Sequence, residues 1–181
     1  IGAGAEIGSL FISLPFKSNY FEIDTVITRK IFNSKKKNFD AIISRIILSN
    51  PHETEYINYN LTKNQLHVGD KKINIFFYDI EKDQIKLKEK YYATILCTSK
   101  KHINNIKILN KIKKYSNFVF GVAENLNLPS FYPSLIGTNS DKLLNKFTAI
   151  KNQKIFALGS CQTNGWNSHL NALTYSLDKI V

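Results

Sequence analysis

The stretch Ile1-Gly2-Ala3-Gly4-Ala5-Glu6-Ile7-Gly8 opens the chain, followed by a helical run and then a β-rich run that ends at Thr28. Glycines in such a turn let the backbone approach a diphosphate closely, and a helix starting behind them offers unpaired N–H groups and the positive end of its dipole. Gly2, Gly4, Ala5, Glu6, Ile7 and Gly8 are therefore candidates for cradling a dinucleotide, with a plain glycine turn as the competing reading. The spacing is one residue longer than the usual G-x-G-x-x-G fingerprint. A strand should precede such a turn, so a first strand is expected upstream of Ile1. Where an acidic residue would normally hold the adenosine ribose, the chain has Thr28-Arg29-Lys30. Arg29 would pair with a 2′-phosphate that a carboxylate would repel. NAD and NADP both stay open, and the alternative is that Arg29 and Lys30 are simply exposed charges.

Outward from that turn, the chain alternates short β-rich runs with amphipathic stretches. Residues 21–28, 72–78, 92–97, 117–122 and 154–158 read as strands. Ile103, Ile106, Leu109, Ile112 and Lys113 have the spacing of one helix, with Ser99 able to cap its start. Gly8 to Phe16 predicts a short helix ended near Pro15, and Asp40 to Leu48 another that stops before Asn50-Pro51. Gln65 to Val68, Gly69-Asp70 and Lys71 to Phe77 predict a hairpin with a tight turn. The expectation is an α/β fold: a Rossmann-like, mainly parallel sheet with helices on both faces and an inserted antiparallel hairpin.

The length, 181 residues and 20.7 kDa, suits one domain spanning residues 1–181 with a single core. A composition of 43% hydrophobic and 22% charged residues excludes disorder. No apolar run reaches the roughly 18 residues of a membrane span. The net charge of +11 rests almost wholly on lysine, since only Arg29 and Arg45 are arginines. Base and phosphate recognition favours the arginine fork, so the charge is read first as compositional drift, with a basic RNA-binding surface as the competing reading. Lys35 to Lys37, flanked by Asn33, Ser34 and Asn38, reads as a solvated loop. Cys97 and Cys161 are too few for a disulfide framework and lie in no metal-ligand spacing, which points to the cytoplasm or another reducing compartment such as an organelle matrix.

A second site lies in Ala157-Leu158-Gly159-Ser160-Cys161-Gln162-Thr163-Asn164-Gly165-Trp166. A strand ends, a small-residue turn follows, and an amphipathic helix runs on through Leu170, Leu173, Leu177 and Ile180. Cys161 falls at the start of that helix, where the dipole and free N–H groups favour a thiolate able to attack an aldehyde. A buried structural cysteine at a strand end is the competing reading.

Ser160-Cys161-Gln162-Thr163-Asn164 resembles the S-C-T-T-N nucleophile motif of the glyceraldehyde-3-phosphate dehydrogenase family. Leu66 to Ile73 resembles that family's V-D-G-K-x-I hairpin, Ser49-Asn50-Pro51-His52 its D-S-x-H, Gly137-Thr138-Asn139 its G-V-N, and Cys97-Thr98-Ser99 its S-T-G beside the cofactor. The resemblance spans the chain but only the cofactor-binding half of the family's architecture. It implies an NAD(P)-dependent oxidoreductase of glycolysis, of the phosphorylating type, acting on a small phosphorylated aldehyde and on phosphate, which would release the thioester, in a homotetramer. Cys161 would be the nucleophile, Thr98 and the backbone from Gly4 to Ile7 would contact NAD or NADP, and Ser160 and Thr163 would line the substrate or phosphate side. Gln162 replaces a threonine that the family uses around the attacking phosphate. The activating histidine would belong to a second domain beyond Val181, since His169 points some two turns away and reads as a surface or packing histidine. The alternative is a catalytically inactive relative serving as a structural or interaction subunit of a larger assembly.

Overall fold

A computed structural model describes residues 1–13, 21–49, 56–125, 127–128, 154–166 and 169. The chain divides into two compact units, Ile1–Lys86 and Leu87–Val181.

In the first unit, α1 (Glu6–Ser13), β1 (Thr25–Thr28) and α2 (Lys35–Ser49) precede β2 (Ile57–Asn60), β3 (Gln65–Val68) and β4 (Lys71–Phe77). The sheet order is β1-β4-β3-β2. Its register puts Leu66 opposite Ile73 and Val26 opposite Ile75, which gathers these apolar side chains on one face. Phe39, Ile42 and Ile46 of α2 repeat at helical spacing and close that face into a core with Ala3 and Ile12. The other face carries Thr25, Gln65, His67, Lys72 and Asn74. Ser9 of α1 and Ser49 of α2 share a hydrogen bond of 2.7 Å.

The Gly69-Asp70 hairpin forms as expected, with Val68 opposite Lys71 and Gly69 at φ 60°. A second hairpin, between β2 and β3, was not legible. It turns at residues 61–64, where Asn64 takes φ 54° and the Asn60 side chain accepts the Lys63 N–H at 3.0 Å. Only β1 and β4 run parallel in this sheet.

The basic run Lys35–Lys37 is the first turn of α2 and not a loop. Two side chains begin the helix there. The Lys37 N–H donates to Ser34 Oγ at 3.4 Å. Asn38, only 3% exposed, accepts from the N–H groups of Ile31 and Phe32 at 2.8 and 2.9 Å and donates to the carbonyls of Phe32 and Ser34 at 2.6 and 2.8 Å. One amide thus meets four backbone polar groups at the approach to the helix.

In the second unit, β5 (Tyr91–Leu96), β6 (Ser116–Gly121) and β7 (Ile155–Ala157) form a three-stranded parallel sheet in the order β5-β6-β7. The crossover from β5 to β6 is helical, but it comes as two helices, α3 (Lys100–Ile103) and α4 (Ile106–Lys113). The single helix expected from the apolar spacing breaks at Asn104-Asn105 because the Asn105 side chain accepts the N–H groups of Lys107 and Ile108 and starts α4 afresh. Ser99 stands at the start of α3 without a side-chain cap bond. Ile108, Leu109 and Ile112 are the buried face of α4. At the end of β6, a Cβ on Gly121 would overlap the Ile103 side chain, so glycine is what lets α3 seat there.

These sheets overturn the expected fold class. In place of one mainly parallel Rossmann-like sheet with helices on both faces there is a mixed sheet, three of whose four strands form an antiparallel meander, and a separate three-stranded parallel sheet. The physical reason is the added strand β2, which makes hairpins the dominant local connection in the first unit. Asn50 to His52, Gly137 to Asn139 and the helix expected through Ile180 lie outside the described residues. Among the described residues no helix is long and apolar enough to cross a membrane.

Asn38→Ala would leave up to three backbone groups without a replacement partner, since the Ser34 carbonyl keeps the Asn38 N–H at 3.2 Å, at about 1–3 kcal/mol for each one that water cannot reach. The expected outcome is a drop in urea midpoint larger than that of Asn58→Ala, at the exposed position of β2; equal midpoints would show that the amide does not hold the α2 entry.

Candidate functional site

Two places are set up by these folds, one in each unit. In the first unit, Gly2 takes φ 91° and donates its N–H to the Ile27 carbonyl at 2.8 Å, so the turn is fastened to β1. The Ala5 N–H donates to the Gly2 carbonyl at 2.9 Å, and α1 begins at Glu6. A Cβ on Gly8 would strike the Gly2 carbonyl, which makes glycine obligatory where the helix folds back on the turn. A Cβ on Gly4 would meet only Thr28 Oγ1, at 3.4 Å. Ala5 and Ile7 are exposed. Arg45 of α2, not singled out in the sequence, donates from Nε to the Gly4 carbonyl at 3.3 Å. Arg29 is exposed beyond the end of β1, with Nε 3.8 Å from Asp79. Its neighbour is thus an acid that the sequence reading did not bring near it.

In the second unit, parallel pairing sets Gly121 of β6 beside Ala157 of β7, so the chain leaving β6 runs next to the chain leaving β7. Gly159, at φ 75° and buried, bends the latter, and residues 161–166 are helical. Cys161 is the first residue of that helical stretch and is exposed. Ser160 Oγ accepts the Thr163 N–H at 3.2 Å, as a helix cap does. Asn164 donates from Nδ2 to the carbonyls of Leu158 and Ser160 at 2.9 and 3.0 Å, tying the turn from below.

The residue that joins these parts is Glu124, three residues past the end of β6. Its Oε1 accepts from Ser160 Oγ at 2.7 Å and from Thr163 Oγ1, while its Oε2 lies 3.6 Å from Lys100 Nζ. The Thr163 hydroxyl, then the Ser160 hydroxyl, hold the Glu124 carboxyl below the usual carboxylate range, with a smaller pull from Lys100. A depressed carboxylate supports the fold above its unfolded pKa, and that support is lost as pH falls through the folded value. The only signal for Glu124 in the sequence is its place just past a strand end, and it takes strand adjacency to make that informative.

Cys97, by contrast, is 6% exposed at the end of β5, and burial pushes its thiol pKa up. Next to it, Thr98 Oγ1 is buried with no hydrogen-bond partner among the described residues. A hydroxyl in that state is an unmet donor and acceptor. His169 is exposed, with Nδ1 2.9 Å from the Gly165 carbonyl, as a surface histidine would be. Among the described residues no three His, Cys, Asp or Glu side chains gather where a metal ion could be held.

No protein-family model matches the chain, and no curated protein matches it.

Carbon-13 NMR of the Glu124 carboxyl is expected to show a midpoint below that of an ordinary glutamate, rising in Thr163→Val as one donor is removed. An ordinary midpoint in both proteins would contradict the described hydrogen bonding.

Proposed function

We propose that this chain contributes to an NAD(P)-dependent oxidation of a small aldehyde, with Cys161 as the nucleophile. The observation that carries the reading is an exposed cysteine on a turn fixed by Ser160, Thr163, Asn164 and Glu124. A nucleophile needs access and a fixed bearing, and Cys161 has both while buried Cys97 lacks access. The likeness of Ser160 to Asn164 to the glyceraldehyde-3-phosphate dehydrogenase motif supports the same role.

The Cys161 thiolate would add to the aldehyde carbon, forming a carbon–sulfur bond and moving the carbonyl pair onto oxygen. The N–H groups at the start of the helical stretch suit the resulting oxyanion. A bound nicotinamide would supply the two-electron oxidant that turns this adduct into a thioester. On the cofactor side, the positive φ of Gly2, the enforced glycine at position 8 and the start of α1 at Glu6 suit a diphosphate. The Thr98 hydroxyl, without a partner among the described residues, suits a further polar contact. Arg29 and Asp79 together leave the choice between NAD and NADP to experiment.

One observation favours an inactive structural subunit: the only described histidine near Cys161 in sequence, His169, has its Nδ1 against a backbone carbonyl. The two readings part in one assay. The dehydrogenase reading expects NAD or NADP to bind at millimolar concentration and to change the rate at which iodoacetamide alkylates Cys161. Absence of binding by both, with an unchanged alkylation rate, would remove the cofactor from the account and leave the structural reading.

A further inference from the structure

We propose that the sheet of the second unit binds a single-stranded polynucleotide at the end where its strands begin, the end opposite Glu124 and Cys161. The inference does not depend on Cys161 as the nucleophile. Because β5, β6 and β7 run parallel, the segments that lead into them arrive at one end of the sheet. Those segments are basic: Lys88 and Lys90 precede β5, Lys113 and Lys114 precede β6, and Lys154 precedes β7. All five are exposed, and among the described residues none of them forms an ion pair. The acid that accompanies them is Glu89.

Separate stretches of chain thus bring positive charge to one place. The dipole of α4 favours a cation at Lys113, its last residue, but it has no bearing on Lys90 or Lys154, which sit at strand starts. Charge alone would suit any polyanion, and the sheet face beside it narrows the choice. Ring contacts cross all three strands of the sheet: Tyr92 of β5 lies 5.5 Å from Phe118 of β6, centroid to centroid, Phe118 lies 6.4 Å from Phe120, and Phe120 lies 5.6 Å from Phe156 of β7. The row runs from covered to open. Phe156 is 2% exposed, Phe118 and Phe120 are half-buried, and Tyr92 on the outer strand is 77% exposed.

The lysines and the rings meet at the same end. Phe120 and Phe156 stand side by side in the register, so the two-residue repeat of a strand sets Lys154 beside Phe118 on the face of the ring row. Tyr92 is steadied by its edge contact with Phe118, at an interplanar angle of 62°, so a base that stacks on it has little further ordering to impose. Phosphates on Lys90 and Lys154 and a base on Tyr92 are the two kinds of contact by which single strands are held without sequence preference. A duplex keeps its base faces inside and offers Tyr92 nothing to stack on.

Fluorescence anisotropy of the full chain with labelled oligo-U, oligo-dT and a duplex of equal length tests this. Both single strands are expected to bind, more weakly as salt rises, and to bind more tightly than the duplex; a preference between them supports the proposal and identifies the sugar. Tyr92→Ala is expected to weaken single-strand binding about tenfold, with Tyr92→Phe keeping it. Lys154→Gln is expected to lower the slope of log affinity against log salt by about 0.7. Both side chains are exposed, so the variants keep the fold, which circular dichroism checks. No binding of either strand at low salt, equal affinity for the duplex, or an affinity untouched by Tyr92→Ala would overturn the proposal. Tighter binding to phosphatidylserine vesicles than to either strand would overturn it in favour of a membrane surface, and displacement of the strand by NADP would overturn it by seating the strand at the glycine turn.

Discussion

The carboxylate of Glu124, shared by two hydroxyl groups from the turn that carries Cys161, is the interaction on which the geometry of that turn depends. It exists because β6 and β7 run parallel, with Gly121 beside Ala157, so that two chain segments leave the sheet side by side. The distance in sequence is 36 residues, and the sheet closes it. A charged acceptor makes these hydrogen bonds stronger than neutral pairs, and it also commits the hydroxyl protons. The same contact therefore ties the turn that carries Cys161 to the chain leaving β6.

The first unit shows a different constraint. Its glycine turn is held by backbone geometry, with one side-chain bond from Arg45 to the Gly4 carbonyl: the N–H of Gly2 is on β1, the N–H of Ala5 is back on Gly2, and the contact at Gly8 admits no side chain. Asn38 performs a comparable task at the entry to α2, where one buried amide meets four backbone groups. Both are local solutions to the rule that buried backbone polar groups need partners.

What could be read in advance follows from how local each cause is. The Gly69-Asp70 hairpin and the strands β4 to β7 were legible, because alternating or β-branched runs bounded by turn residues carry their own signal. Strand β2, with the sequence Ile57-Asn58-Tyr59-Asn60, was not, since two of its four residues are asparagines that favour turns. The break between α3 and α4 was hidden because apolar spacing continues across Asn105, while a cap is a single side chain. Lys35 to Lys37 looked like a loop because charge alone says nothing of a cap at Ser34. The separation into two sheets was beyond reach, since strand composition does not state which strands will be neighbours. At the site, Cys161 and Ser160 were visible from the change of strand to helix, whereas Glu124 becomes relevant only once β6 and β7 are paired.

The central claim is that Cys161 forms a covalent bond with an aldehyde substrate and becomes an acyl carrier. Rapid acid quench after mixing the protein with glyceraldehyde 3-phosphate and NAD or NADP, followed by peptide mass analysis, tests it most directly. The account predicts an acyl adduct on the peptide that contains Cys161, dependent on the cofactor and absent from the peptide with Cys97. Unmodified Cys161 under both cofactors, or modification confined to lysines, would contradict it.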